Sequence, residues 1–312
     1  MKRRRFIRDI VTHCYQRSAD GGLLFYSHSD HLVHFTRYCI VARKYGIRVL
    51  SLCQMPDHIH DTIIAQRPEQ LEKFKRETNS GFSRDWNEWS HLTGSVMESP
   101  FGSAPKIGDK KARTNLIYVG NNPVERKLTQ KAEDFRWNFL AYADSKNPFS
   151  EKLVIREARW PMQKAVKEIK SQFKANKPVT YAMLKRLSAP LTMEERMQLT
   201  DFIISTYNTI DYGYAIRFFG SFAKMISAMH VTTGSEYDLN EVSVGRSDAH
   251  YSTMSSYIIK KYRLKDIHEM LSFSPEKKYE VFLDLLRISD ALPEQIAKFL
   301  HTPLIKTSNG NL

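Results

Sequence analysis

The 312 residues are enough for roughly two ordinary domains, each with a buried core. Hydrophobic residues make up 42% and charged residues 26%, with only 13 Gly and 12 Pro, which excludes a disordered or fibrous chain. The 47 Lys and Arg against 34 Asp and Glu leave a net charge of +13, so a polyanion or an anionic surface is the expected class of partner.

No stretch is apolar for the roughly 18 residues a membrane span needs, and Asp9 and His13 come too soon after the basic start Met1 to Arg5 for a signal-peptide core. No membrane association and a cytoplasmic location are therefore expected. Cys14, Cys39 and Cys53 form no CxxC pair and are too few for a disulfide framework, so each is expected to pack as a small hydrophobe.

In chain order, Phe6 to Gln16 holds the β formers Ile7, Ile10, Val11 and Thr12 and predicts a first strand. Ser29 or Asp30 can cap a helix to about Lys44, with Leu32, Phe35, Cys39 and Ala42 on one face and Gly46 as its stop. Ile47 to Cys53 and His58 to Ala65 read as strands flanking a turn at Pro56 and Asp57. Pro68 to about Asn79 reads as a second helix, and the Gly-, Ser- and Pro-bearing stretch from Asn79 to Lys110 as irregular, a candidate substrate-facing loop. A helix can begin at Lys111, with Gly120 and Pro123 opposing its continuation. This order predicts an α+β first half, residues 1–150, in which strands and helices pack as two layers.

Beyond residue 150, past the turn formers and proline of Ser145 to Ser150, the patterns become helical. They comprise Glu151 to Ala175 with a kink at Pro161, Met193 to Tyr207, and Asp211 to His230. Residues 151–312 are expected to form a mainly α-helical accessory domain. Its last two helical patterns, Pro275 to Arg287 and Pro293 to His301, suit either a helix-turn-helix that reads DNA or ordinary helical packing.

The sharpest chemical signal is Met55-Pro56-Asp57-His58-Ile59-His60. Strand alternation puts His58 and His60 on one face and Ile59 on the other, so two neutral imidazoles can converge on a divalent ion. The same pair can equally be two hydrogen-bonded histidines. The second signal is Asn115 to Val124, in which a helix continued past Gly120 aligns Tyr118 with Asn122, a phenol nucleophile beside an amide oxygen.

Together, Met55-Pro56-Asp57-His58-Ile59-His60, Tyr118 and Asn121-Asn122-Pro123-Val124 resemble the HUH single-tyrosine transposases, in particular the repeat-associated tyrosine transposase branch. The resemblance spans roughly residues 5–142. It implies a ferredoxin-like HUH domain with an antiparallel sheet and packed helices. It also implies metal-dependent nicking and rejoining of single-stranded or hairpin DNA through a 5′-phosphotyrosine. On the matching positions it makes Tyr118 the catalytic nucleophile, His58, His60 and Asn122 the ligands of Mg2+ or Mn2+, and the protein a nucleoid-associated homodimer. Asp57 and Gly120 depart from the family's usual wording, and the long region after residue 142 lies outside the match. A noncatalytic DNA-binding or regulatory protein that keeps the transposase fold is the alternative, and an RNA-binding protein a third reading.

Basic residues that suit phosphate contact, or simply a solvated face, are Lys2, Arg3, Arg4 and Arg5, then Lys73, Lys75 and Arg76, then Lys110, Lys111 and Arg113. The last three would also favour the Tyr118 phenolate if they lie close to it. Trp86, Trp89 and Phe101 can stack bases or anchor the core. Glu236, Asp238 and His250 read as turn and cap residues.

Overall fold

The structure, a computed structural model, describes residues 6–231 and 247–303. Four strands, β1 (Thr12–Arg17), β2 (Arg48–Met55), β3 (His58–Ile64) and β4 (Gly102–Pro105), form one antiparallel sheet in the order β2-β3-β1-β4. Helix α1 (His28–Lys44) connects β1 to β2, and α2 (Pro68–Ser90) connects β3 to β4. The N-terminal region is thus a mixed α/β unit with a small open sheet.

The sheet separates two environments because side chains alternate along each strand. Ile59 and Ile63 of β3 join Cys14 and Leu52 in a core with Leu32 and Phe35 of α1 and Phe74 and Phe82 of α2. His58, His60, Thr62 and Ile64 point the opposite way, toward α3 (Asp109–Glu125). A bulge in β2 keeps the two faces in phase: Val49 pairs with Ile63 but Ser51 pairs with Thr62, so Leu50 is an extra residue. Beyond it Cys53 and Met55 come opposite His60 and His58.

Several boundaries differ from the sequence expectation. The first strand starts at Thr12, after a turn in which Asp9 has φ 55°. The cap of α1 is Ser27, two residues earlier than expected, because Asp30 is its reciprocal partner, accepting from the Ser27 N–H while Ser27 accepts from Asp30. Helix α2 runs eleven residues past Asn79, since Leu71, Phe74, Thr78, Phe82 and Trp86 continue one buried stripe through Gly81. At Gly81 a Cβ would stand 2.5 Å from Arg37 of α1, so glycine allows the two helices to cross closely. The stretch expected to be irregular therefore holds half a helix and β4.

A largely helical region follows three short 3₁₀ turns between Ala132 and Ala143. Its helices are α4 (Trp160–Lys174), α5 (Tyr181–Ser188), α6 (Met193–Tyr207), α7 (Tyr212–Arg217), α8 (Phe222–Val231), α9 (His250–Tyr262), α10 (Pro275–Ile288) and α11 (Pro293–Phe299). Pro161 stands in the first turn of α4 and starts that helix instead of kinking it. The single helix expected from Asp211 to His230 is divided at Gly220, whose φ is +86°. Met162, Ile203 and Phe299 belong to the same apolar cluster as Leu23, Phe35 and Phe82, so burial continues across residue 150. Among the described residues no helix is long and apolar enough to cross a membrane. Cys14, Cys39 and Cys53 are buried thiols.

Candidate functional site

On the α3 side of the sheet, β3 presents His58 and His60 with ring centroids 4.8 Å apart, both buried. Helix α3 runs unbroken through Gly120 and carries Pro123 in its last turns, so Asn115, Tyr118 and Asn122 lie along one of its sides. Asn115 accepts a hydrogen bond from the Thr62 hydroxyl at 3.0 Å, which fixes the helix against the strand. One turn on, the Tyr118 hydroxyl lies 3.4 Å from His60 Nε2.

A third histidine joins them. His13 follows Val11 and precedes Tyr15 and Arg17 on the same face of β1, and its Nε2 lies 3.0 Å from His60 Nδ1. Burial holds the His60 imidazole well below its ordinary pKa, with help from His58, His13 and Arg17. Burial also takes His13 down to about 3, with Lys106 and Lys75 adding to it. Both rings are therefore neutral. If His60 Nδ1–H donates to His13, its Nε2 keeps the lone pair that faces Tyr118.

His58 is oriented from the β2–β3 turn. Asp57 Oδ1 accepts from His58 Nδ1 at 2.5 Å, and its other oxygen, Oδ2, pairs with the Lys298 ammonium from α11. Burial acts to raise the Asp57 carboxyl, but His58 and Lys298 outweigh it and hold the group well below the usual carboxylate range. The turn is itself clamped: the Pro56 carbonyl accepts from Leu24 and Phe25, and the Asp57 carbonyl from Ser18. With Nδ1 committed to Asp57, His58 Nε2 is left buried with no hydrogen-bond partner among the described residues, and so is Asn122 Oδ1.

Asp248, just before α9, donates its N–H to the Arg126 carbonyl beyond the end of α3, and Arg126 Nη1 stands 3.9 Å from its carboxylate. Burial and the charge of Asp57 push the Asp248 carboxyl up to about 6. Among the described residues, no group of three or more His, Cys, Asp or Glu side chains is arranged to hold a metal ion.

The other expected site residues are dispersed. Lys2, Arg3, Arg4 and Arg5 lie outside the described residues, as do Glu236 and Asp238. Lys73 and Arg76 are exposed on α2, and Arg76 borders a cleft of about 600 Å³ with Ser80, Arg84, Asn87 and Phe101. Lys75 corrects the expectation of an exposed phosphate contact: it is buried, with both Asp61 oxygens 2.6 and 2.7 Å from its ammonium. Lys110, Lys111 and Arg113 are exposed along the first turns of α3. At 1.5 Å per residue Lys110 is about 12 Å from Tyr118 along the axis, toward the start of the helix. Trp86 stacks on His301 and Trp89 on Tyr181, so both anchor the core.

The helical pair at 275–301 forms as expected, but the last seven-residue helix buries Gln295, Ile296, Ala297 and Phe299 and turns Lys298 toward Asp57. Its exposed side carries the acidic Glu294. This packing uses the inward face of the pair for the core, as ordinary helical packing does.

Sequence reasoning misses His13, Asp57 and Lys298 as site residues. The alternation of Val11, His13, Tyr15 and Arg17 is a usable signal for His13, whereas nothing in the sequence joins Lys298 to Asp57 across 241 positions.

No protein-family model matches this chain, and no curated protein matches it. Among solved structures, a REP-associated tyrosine transposase bound to a REP hairpin is similar over 44% of this chain and 80% of its own. The identity is 13% and the TM-score 0.37, a distant likeness.

Proposed function

We propose that the protein nicks and rejoins single-stranded DNA through a 5′-phosphotyrosine on Tyr118, as a transposase or a domesticated relative with a ferredoxin-like HUH domain. The observation that carries this reading is the meeting of the α3 phenol with the β3 histidine pair, Tyr118 Oη 3.4 Å from His60 Nε2. The β1-α1-β2-β3-α2-β4 order, with its sheet order β2-β3-β1-β4, supports the ferredoxin-like assignment.

In this reading the Tyr118 oxygen attacks a backbone phosphorus, the bond to the 3′ oxygen breaks, and a 3′-hydroxyl leaves while the 5′ side stays on the enzyme. Rejoining is the reverse attack by a 3′-hydroxyl, so no nucleotide cofactor is consumed. The phenol proton passes through solvent to the departing 3′ oxygen, since the His60 Nε2 beside the hydroxyl is assigned to the ion. Tyr15, 43% exposed on the His13 row, lies flat across Gly102, where a Cβ would stand 2.0 Å from its ring. That ring and the exposed Arg17 offer a stacking surface and a phosphate contact beside the phenol.

The donor set suits a divalent ion. His58 Nε2 and Asn122 Oδ1 are buried acceptors with no partner among the described residues, and His60 Nε2 joins them in the tautomer protonated on Nδ1. Two imidazoles with an amide oxygen favour Mn2+ over Mg2+. Such an ion, when bound, would polarise the phosphodiester.

The noncatalytic DNA-binding alternative draws on one observation, that no third His, Cys, Asp or Glu joins the pair among the described residues in an arrangement that could hold a metal. Labelled single-stranded hairpins with Mn2+ or Mg2+ separate the two readings. The proposal expects a metal-dependent covalent adduct that Tyr118→Phe reduces at least about a thousandfold. Binding with no adduct across a broad hairpin panel would favour the alternative. A homodimer is part of the proposal, and sedimentation of the protein with hairpin DNA tests it.

A further inference from the structure

Resting on that reading, we propose that the C-terminal helical region completes the catalytic site, with Lys298 as a positioning residue that fixes His58 through Asp57. The Asp57 carboxylate is shared between two partners: Oδ1 takes the His58 Nδ1–H and Oδ2 takes the Lys298 ammonium. The Asp57 side chain is 14% exposed and His58 only 5%, so little water competes for the carboxylate and its two protein partners fix where it sits. The Asp57 contact engages His58 Nδ1, so Nε2, buried with no partner among the described residues, is the ring nitrogen left for a ligand. This is the outer-shell arrangement that sets the tautomer and ring orientation of a ligating histidine.

Lys298 is held in place by the packing of its own segment. Ile296, Phe299 and Leu300 are buried in the main core, and the Tyr26 hydroxyl donates to the Phe299 carbonyl at 2.6 Å. His301 Nδ1 lies 2.8 Å from Asp20 Oδ2, and its Nε2 lies 3.0 Å from the Leu23 carbonyl, both in the β1–α1 connection. Gln295 donates to the Ser247 carbonyl at 2.6 Å, which ties the approach to α9 to the same helix, and Asp248 follows against Arg126. Helix α11 and His301 after it are thereby fixed to the loop that clamps Pro56 and Asp57.

The test uses the full chain with Lys298→Met, which removes the charge at similar length, Lys298→Arg, which keeps it, Asp57→Asn, and the Lys298→Met/Asp57→Asn double variant. Mn2+ binding without DNA is read from the free-ion electron paramagnetic resonance signal, and the His58 tautomer from long-range nitrogen–proton NMR correlations. Lys298→Met is expected to weaken Mn2+ binding about 10- to 100-fold and to mix the His58 tautomers, with Lys298→Arg restoring both. Asp57→Asn is expected to do the same, and the double variant to be no worse than the worse single one. Unchanged His58 tautomers in folded Lys298→Met, or losses that add in the double variant, would overturn the inference. The tautomer measurement needs neither metal nor DNA. If the natural chain forms no adduct yet Lys298→Met alters His58, the catalytic reading fails and the positioning role stands.

Discussion

Two buried polar side chains of β3, one on each face, are held in opposite ways. On the α1 and α2 side, Asp61 is fully buried and both its oxygens are taken, by Lys75 at 2.6 and 2.7 Å and by the Tyr38 hydroxyl at 2.7 Å. On the α3 side, His58 Nε2 of the same strand and Asn122 Oδ1 of α3 are buried with no partner among the described residues. A saturated buried charge serves the fold, whereas an acceptor left open at the cost of its desolvation is available to a ligand.

The largest effect that can break this contrast is on the saturated face. Lys75→Met should strand the Asp61 carboxylate and cost about 3–5 kcal/mol in urea unfolding. A loss below about 1 kcal/mol would mean that Asp61 finds water or another partner.

A second structural charge predicts a pH dependence. Burial acts to lower the His268 pKa, but Asp30 and Asp266 outweigh it and raise it to about 10. A raised folded pKa stabilises fully below the unfolded value of about 6.5 and loses that contribution as pH climbs toward 10. Unfolding free energy should therefore fall over that window more steeply in the natural chain than in His268→Gln, by up to about 1.4 kcal/mol per pH unit. Parallel curves for the two proteins would remove His268 from the network.

Smaller effects concern DNA. Arg76→Ala and Lys111→Ala should each reduce the salt dependence of hairpin binding by about one unit of slope, measured by fluorescence anisotropy over a salt series. An unchanged slope would place the phosphates elsewhere. The smallest expected change is the stability of Tyr118→Phe, within about 1 kcal/mol of the natural chain by urea unfolding, since it removes a hydroxyl 3.4 Å from its partner. A larger loss would move Tyr118 to the structural side of the contrast.

Local periodicity accounts for the parts of the site that are legible in the sequence. His58 and His60 share a face because a strand alternates, and Tyr118 shares a helix side with Asn122 because a helix repeats near four. Local rules also place most of α1, β2, β3 and α6. They misjudge α2 and α3, where Gly81 and Gly120 weigh as breakers. In the fold each glycine makes room, for Arg37 and for the Met229 side chain, which lies 2.7 Å from where a Gly120 Cβ would be. Lys75 reads as a surface charge because its partner Asp61 is fourteen residues away on another element. Alternation along β1 gives His13 its face but only strand register brings it to His60, and Lys298 depends on how α11 packs, which no local pattern records.

Peptide mapping of the protein–DNA adduct by mass spectrometry tests the central claim most directly, because Tyr15 and Tyr118 both border the histidines. A nucleotide on the Tyr118 peptide, dependent on divalent metal, is the predicted result. The same mass on Tyr15, or no modified tyrosine after exhaustive incubation with hairpin DNA, would contradict it.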